Sequence, residues 1–360
     1  MADGTVGITG LTGLGLGGAS PMPELQLQNR FSEGDDIAWT KGSHSMGFGV
    51  SVDRVQSSVL WPFTSGSSWT FTSLSNFLAG TATQVSGALD NPINYPIRDF
   101  RELDFVLYAR DEWKVGPKLT VNYGLRYEPT NNPTEAHNNL YAVTNFATAT
   151  GFTNVPNAFA SNPSLKNFDP RVGFAYDLFA DHKTSIRGGF GIFHDAIFAG
   201  QYAIYYINAE PWNLITQTQN VTFPVPFSQP GTPNPTVTNG YDPNATKTPY
   251  LMEYNLNVQH EFGQGMVATI GYIGSHGVDL YTEQEKNPVS SSIINGVLTF
   301  SPLCGANNTI GGPKTCPIGV SGRINSNLNS FTIGENGASS RYNSLQASVL
   351  ARAGWTARWE

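Results

Sequence analysis

Residues 108–128 read YARDEWKVGPKLTVNYGLRYE, two runs that alternate in character on either side of Gly116-Pro117. Before the turn, Leu103, Phe105, Leu107, Ala109, Trp113 and Val115 fall on one face. Asp104, Tyr108, Arg110, Glu112 and Lys114 fall on the other, while Asp111 breaks the apolar row and Val106 the polar one. After the turn, Leu119, Val121, Tyr123, Leu125 and Tyr127 oppose Thr120, Asn122, Gly124, Arg126 and Glu128. Side chains along a strand point alternately to opposite faces, so this stretch predicts a hairpin with one apolar and one polar surface. Each arm has the roughly 9–11 residues that a tilted transmembrane strand needs.

The same pattern recurs along the chain. In PRVGFAYDL, Val172, Phe174, Tyr176 and Leu178 oppose Arg171, Gly173, Ala175 and Asp177; TSIRGGFGIF then sets Ile186, Phe190 and Ile192 against Arg187, Gly189 and Gly191. YLMEYNLNVQHEF gives Tyr250, Met252, Tyr254, Leu256, Val258 and Phe262 against Glu253, Asn255, Asn257, Gln259 and Glu261. Its partner MVATIGYIG offers Met266, Ala268, Ile270 and Tyr272. Ile37 and Trp39 lead through Lys41-Gly42-Ser43 into Met46, Phe48, Val50 and Val52, and YNSLQASVLAR begins one more strand.

Composition narrows the class. Only 13% of the 360 residues are charged, while aromatics reach 12% and glycines number 38, a mixture that suits turn-rich β structure. A net charge of -7 and a pI near 5.4 offer nucleic acid no basic surface. No apolar run is long enough for a membrane-spanning helix, which leaves a transmembrane β-barrel open. Alternation by itself suits a soluble β-sandwich equally well. The connections separate the two. Links within hairpins fall at 41–43, 115–118, 179–183 and 263–265, whereas links between hairpins cover roughly residues 129–166, 195–248 and 277–340. Short periplasmic turns and long extracellular loops are the habit of outer-membrane barrels. Trp39, Trp113 and Phe262 near the short turns, and Tyr127, Tyr250 and Tyr272 toward the long loops, fit interfacial aromatic girdles.

At these residues the chain resembles the TonB-dependent outer-membrane receptors, specifically their Oar-like β-barrel domain. The pieces that carry the resemblance are FVLYARDEWKVGPKLTVNYGLRYEP, NFDPRVGFAYDL, SIRGGFGIFHD, YLMEYNLNVQHEF, GYIGSHGVDL and RYNSLQAS, with weaker agreement at IAWTKGSHSMGFGV and LSNFLAG. They run in family order from about residue 24 to 349. The resemblance implies an all-β fold: a partial antiparallel transmembrane barrel of about ten strands from a larger one. It implies residues 1–23 as a flexible Gly-rich segment, 24–352 as the barrel portion and 353–360 as an atypical, truncated end. It also implies outer-membrane lipid around the wall and, in a full-length receptor, a plug domain and the TonB energy-coupling complex as partners, with an unidentified transported ligand. The opening MADGTVGITG has no Lys or Arg before Arg30 and no apolar core, so no signal peptide is expected in it.

Candidate sites are few. Gly13, Gly15 and Gly18 fit G-x-G-x-x-G, but Pro21 and Pro23 follow where a helix should start, so a loop is the better reading. The six histidines are far apart in sequence, and no metal, cofactor or catalytic site is expected. The expected polar wall of the lumen is Arg110, Glu112, Arg126, Glu128, Arg171, Asp177, Arg187, Glu253, Asn255 and Asn257, with arginines pairing to Glu112, Glu128 and Asp177. Tyr202, Tyr205, Tyr206 and Trp212 suit either ligand contact or loop packing. Cys304 and Cys316 are expected to pair as a disulfide in an external loop. The expected function is energised uptake of a large substrate; a passive porin, a surface adhesin or a soluble carbohydrate-active protein are the alternatives.

Overall fold

The turn at Pro117-Lys118 reverses the chain with its two arms in register, Trp113 facing Val121 and Leu107 facing Tyr127. We describe the protein from a computed structural model. It describes residues 5–11, 24–61, 68–88, 97–179, 181–212, 215–223, 232–233, 239–242, 244, 246–263, 265–300, 323–325, 327–328 and 331–351.

The chain begins with a short strand β1 (Thr5–Ile8) and then a long hairpin, β2 (Leu25–Lys41) and β3 (His44–Leu60). The next connection carries β4 (Ser68–Phe71), helix α1 (Leu74–Leu78) and β5 (Thr81–Ala88). The second hairpin is β6 (Arg98–Gly116) and β7 (Leu119–Tyr127); the loop after it holds three short strands, β8 (Thr134–Glu135), β9 (Tyr141–Ala142) and β10 (Thr153–Asn154). The third hairpin is β11 (Phe168–Asp177) and β12 (Thr184–His194). Beyond it lie helix α2 (Ala199–Ile207), β13 (Ile215–Thr222), β14 (Thr232–Pro233) and β15 (Asn239–Tyr241). The fourth hairpin is β16 (Tyr250–Phe262) and β17 (Met266–Glu285). A small hairpin, β18 (Ser291–Ile294) and β19 (Val297–Phe300), precedes the last long strand, β20 (Thr332–Ala351).

The long strands form one antiparallel meander in the order β20-β17-β16-β12-β11-β7-β6-β3-β2, with β15 added along the far end of β20. The sheet is open: among the described residues, nothing pairs with the outer edge of β2. All four tight turns fall where the sequence places them, and Gly42 takes the left-handed conformation, φ +59, that closes the first.

Register aligns the apolar rows across strands. Trp113 faces Val121, which faces Phe174; beyond Gly188 the row continues through Leu256, Tyr272 and Leu345. Leu125, Leu256, Ile270 and Leu345 are 46, 50, 59 and 75% exposed, a continuous apolar surface that water would not tolerate and lipid does. A soluble β-sandwich would bury that row.

The structure corrects or extends the sequence reading in three places. Tyr272 lies in the row of Trp113, toward the short turns, because β17 is 20 residues long and runs on to Glu285. Its later half escaped notice because the register shifts between Gly277 and Leu280, with Asp279 at φ 51, breaking the period of two. Asp111, which interrupts the apolar row of β6, is held by His44 Nδ1 at 2.6 Å and the Tyr123 hydroxyl at 2.8 Å, and His44 stacks on Trp113. The Oδ2 atom of the carboxylate thereby has two partners within its own face. Finally, the segment expected to be flexible holds β1, whose Val6 and Ile8 are buried; the three candidate glycines lie outside the described residues.

The short strands β1, β4, β5, β13 and β14 form a separate five-stranded sheet on the long-loop side. Trp69, Phe71, Ala82 and Val85 make its core with Val6 and Ile8, and Phe77 of α1 packs against them. α1 starts at Ser73, whose side chain accepts from the Asn76 amide.

The two faces differ in what they tolerate. Leu125→Arg, near the middle of the apolar band, is expected to cost about 2–4 kcal/mol in membranes, Val121→Arg near the short turn less, and Asn122→Arg on the polar face least. Urea unfolding of the full-length protein in bilayers measures this; equal losses at the three positions would contradict the barrel.

Candidate functional site

Every residue expected on the polar wall that lies within a strand falls on one face of the meander. One row runs from Arg110 past Gly124 to Arg171, and past Gly191 to Glu253. The next row toward the short turns joins Glu112, Asn122, Gly173, Gly189 and Asn255, and the third joins Ala175, Arg187 and Asn257. Asp177, opposite Ser185, continues the same face, and Glu128 follows β7 two residues beyond Arg126. Period two and antiparallel register do this without any help from side-chain contacts.

The ion pairs follow a different scheme from the one the sequence suggests. Arg126 pairs with Glu128 as expected. Arg171 instead lies 3.9 Å from Asp169, with its guanidinium 4.4 Å above the Phe193 ring. Asp177 pairs with His182 rather than an arginine, because His182 sits in the turn five residues on. Arg187 donates to the Ser185 hydroxyl at 3.3 Å, and among the described residues neither Arg110 nor Glu112 makes an ion pair. Asp169 also takes the His194 ring at 2.6 Å. Tyr108 donates to Asp36 at 2.6 Å across β3, and Asn257 to Asn255 at 3.2 Å along β16. Tyr108, Arg110, Glu112, Asn122, Arg126 and Arg171 line an open concavity of about 810 Å³. Mixed donors and acceptors of both charges, set on rigid strands, make a surface that can hold a polar ligand or a polar domain. They assemble no nucleophile–base pair.

At the long-loop end, α2 lies over this polar face. Its Ala199, Tyr202, Ala203, Tyr205, Tyr206 and Ile207 are buried, and they pack with Val59 of β3, Phe100 of β6, Phe159 and Tyr241. Tyr202 stands edge-on to Phe100 and Phe159, at 5.1 and 5.4 Å. Tyr206 donates to the Ala158 carbonyl, and Tyr205 contacts the Tyr281 hydroxyl and donates to Glu283 at 2.8 Å. The tyrosines of the long loop are thus packing groups, and Trp212 likewise packs edge-on against Tyr141, with Arg98 5.2 Å over its ring.

One cluster escaped the sequence reading. Asp99, Glu135 and His137 bring metal-capable atoms within 4.8 Å of one another. Glu135 accepts from the backbone amides of Asp99, His137 and Asn139 at 3.1, 2.9 and 2.8 Å. Asp99 accepts from Ser58 and lies 3.3 Å from the His137 ring. These bonds pin the loop carrying β8 to the end of β6. The only sequence signal was the Glu-x-His pair at 135 and 137. Cys304 and Cys316 lie outside the described residues.

The family described as "Outer membrane beta barrel domain" matches residues 3–358, and the chain belongs to it. Among solved structures, the chain is similar to the outer membrane transporter YddB from Escherichia coli. Identity is 13%, the match covers 90% of this chain and 30% of that one, and the TM-score is 0.49. It is similar too to the siderophore receptor PirA from Acinetobacter baumannii: 11% identity, 90% and 34% coverage, TM-score 0.43. For the copper transporter OprC the values are 10%, 92%, 37% and 0.43. The chain thus spans about a third of the length of these three proteins. No curated protein matches it.

The packing of α2 can be broken without touching the wall. Tyr206→Ala, at a side chain 1% exposed, is expected to cost about 3–5 kcal/mol of local stability. Limited proteolysis should then nick residues 129–166 and 195–249 faster while the long hairpins stay resistant; unchanged cleavage would show that α2 contributes nothing to loop order.

Proposed function

We propose that this chain forms part of the wall of a TonB-dependent receptor that takes up a large substrate across the outer membrane. The observation that carries the reading is the pairing of an amphipathic meander with a folded cap at its long-loop end. The wall supplies an apolar belt for lipid; Arg110, Glu112, Arg126, Glu128, Arg171, Asp177, Arg187, Glu253, Asn255 and Asn257 line the lumen. An extended hydrogen-bonding surface of this kind suits docking of a plug domain and passage of a polar ligand. The resemblance of the hairpin segments to Oar-like receptors supports the plug and the inner-membrane energy-coupling complex as partners. The chain's role is transport, with no chemistry done on the substrate. A passive porin is the competing reading, and the packed helix across the polar face weighs against it.

Cys304 and Cys316 fall in a long connection that we place outside the cell, and we assign them to each other as a disulfide. Such a bridge closes a short loop and contributes about 3 kcal/mol in the chain-entropy model. Peptide mapping without reductant should recover the linked pair from the full-length protein; two free thiols would refute it.

Planar-bilayer recording of the full-length protein distinguishes an energised receptor from a porin. The receptor reading expects no steady conductance from the native protein, because a plug blocks the lumen, and discrete channels once the plug is deleted. Stable open channels in the native protein would overturn it.

A further inference from the structure

The contacts of α2 reach two separate parts of the wall. Tyr202 meets β6 at Phe100 and Glu102, while Tyr205, three residues on, meets Tyr281 and Glu283 of β17. Next to Tyr205 on the helix, Tyr206 anchors to the loop carbonyl of Ala158. In the sheet order, β6 and β17 are separated by β7, β11, β12 and β16. The helix is therefore a crossbar over the external end of the polar face.

One end of this crossbar rests on a carboxyl group that makes no ion pair among the described residues. Glu102 is 8% exposed, and the Tyr202 hydroxyl, itself fully buried, faces it. The remaining neighbours do not neutralise it. Asp104, two residues along β6, adds repulsion. Arg30 of β2, in the same cross-strand row through Val55, is taken by Asp53 of β3 at 2.5 Å. Val55, cross-strand from Glu102, is apolar, and Tyr206 behind Tyr202 is neutral. A buried carboxyl among such groups is stable only when it carries a proton.

We propose that α2 is a proton-held cap on the external mouth, with the Glu102 carboxyl as its latch. Glu102 lies fourteen residues from the end of β6 at Gly116, or about 30 Å up a tilted strand, beyond an apolar band about 25 Å tall. It sits above the membrane, in reach of external water once the helix lifts. With the cap seated, burial and then Asp104 push Glu102 up from 4.5 to about 8. With the cap lifted, the carboxyl returns toward its ordinary value. Seating therefore takes up a proton: closure is complete at low pH and weakens up to tenfold for each pH unit as pH rises through that window. No further loss follows above about 8. An alkaline exterior would release the crossbar.

The test is amide hydrogen exchange at residues 199–207 of the full-length protein in bilayer discs, from about pH 5 to 9, corrected for the intrinsic pH dependence of exchange. Protection should fall by up to tenfold per unit toward pH 8 and then level off. Glu102→Gln, which keeps the shape without the charge, should stay protected throughout. Protection independent of pH in the unsubstituted protein overturns the proposal, and so does an unchanged slope in Glu102→Gln. If that variant fails to assemble, difference infrared spectra of the unsubstituted protein decide. Loss of a protonated carboxyl band between pH 6 and 9 supports the latch, and no such loss refutes it.

Discussion

Hydrocarbon offers a backbone nothing to bond with, and this constraint shapes the rest of the protein. Each unpaired N–H or C=O there costs several kcal/mol, so a chain crossing as strands must pair each one along its length. The meander from β2 to β20 meets that demand at every internal strand, with registers that run unbroken for nine to seventeen residues in most pairs. Once the ladder is fixed, period two decides the rest: one face gathers Leu, Val, Phe and Tyr, and the other gathers Arg, Glu and Asn. The edges expose the same constraint. Nine long strands alternate in direction, so β2 and β20 run the same way, and antiparallel closure requires an odd number of additional strands between them.

Polar atoms on the wrong face show how strictly the rule is enforced. Asp111 is tolerated in the apolar row because His44, from the neighbouring strand, and Tyr123, from the other neighbour, both reach it. Glycines help the apolar face in a different way. At Gly274, a side chain would collide with the Tyr254 ring, which lies over the bare backbone of the next strand. Such pairs let large rings lie flat where two side chains would crowd.

Much of the wall was legible because its information is local. Alternation and tight turns depend on residues a few positions apart, and LTVNYGLRY needs no distant partner to declare its faces. What failed to show was information carried at long range. AGQYAIYYI shows no polar stripe beyond Gly200 and Gln201, and the burial of its tyrosines is set by β3, β6 and the loops around them. The first half of β20, TIGENGASS, has no apolar row, and its pairing with β17 fixes it as strand. The partners of Arg171 and Asp177 also differ from the expected ones, although they are close in sequence. Spacing along a strand set the face, but not the partner: Arg171 took Asp169, two residues back on β11, and the Phe193 ring of β12, and Asp177 took His182 of the turn.

The central claim is that the odd-numbered side chains of β7 meet lipid and the even-numbered ones do not. Spin labels placed singly from Leu119 to Tyr127 in the full-length protein, read by collision with oxygen and with a water-soluble nickel complex in bilayers, test it most directly. The account predicts oxygen-rich, nickel-poor signals at 119, 121, 123, 125 and 127, and the reverse or full protection at the positions between. A profile without period two, or one with the even positions in lipid, would contradict it.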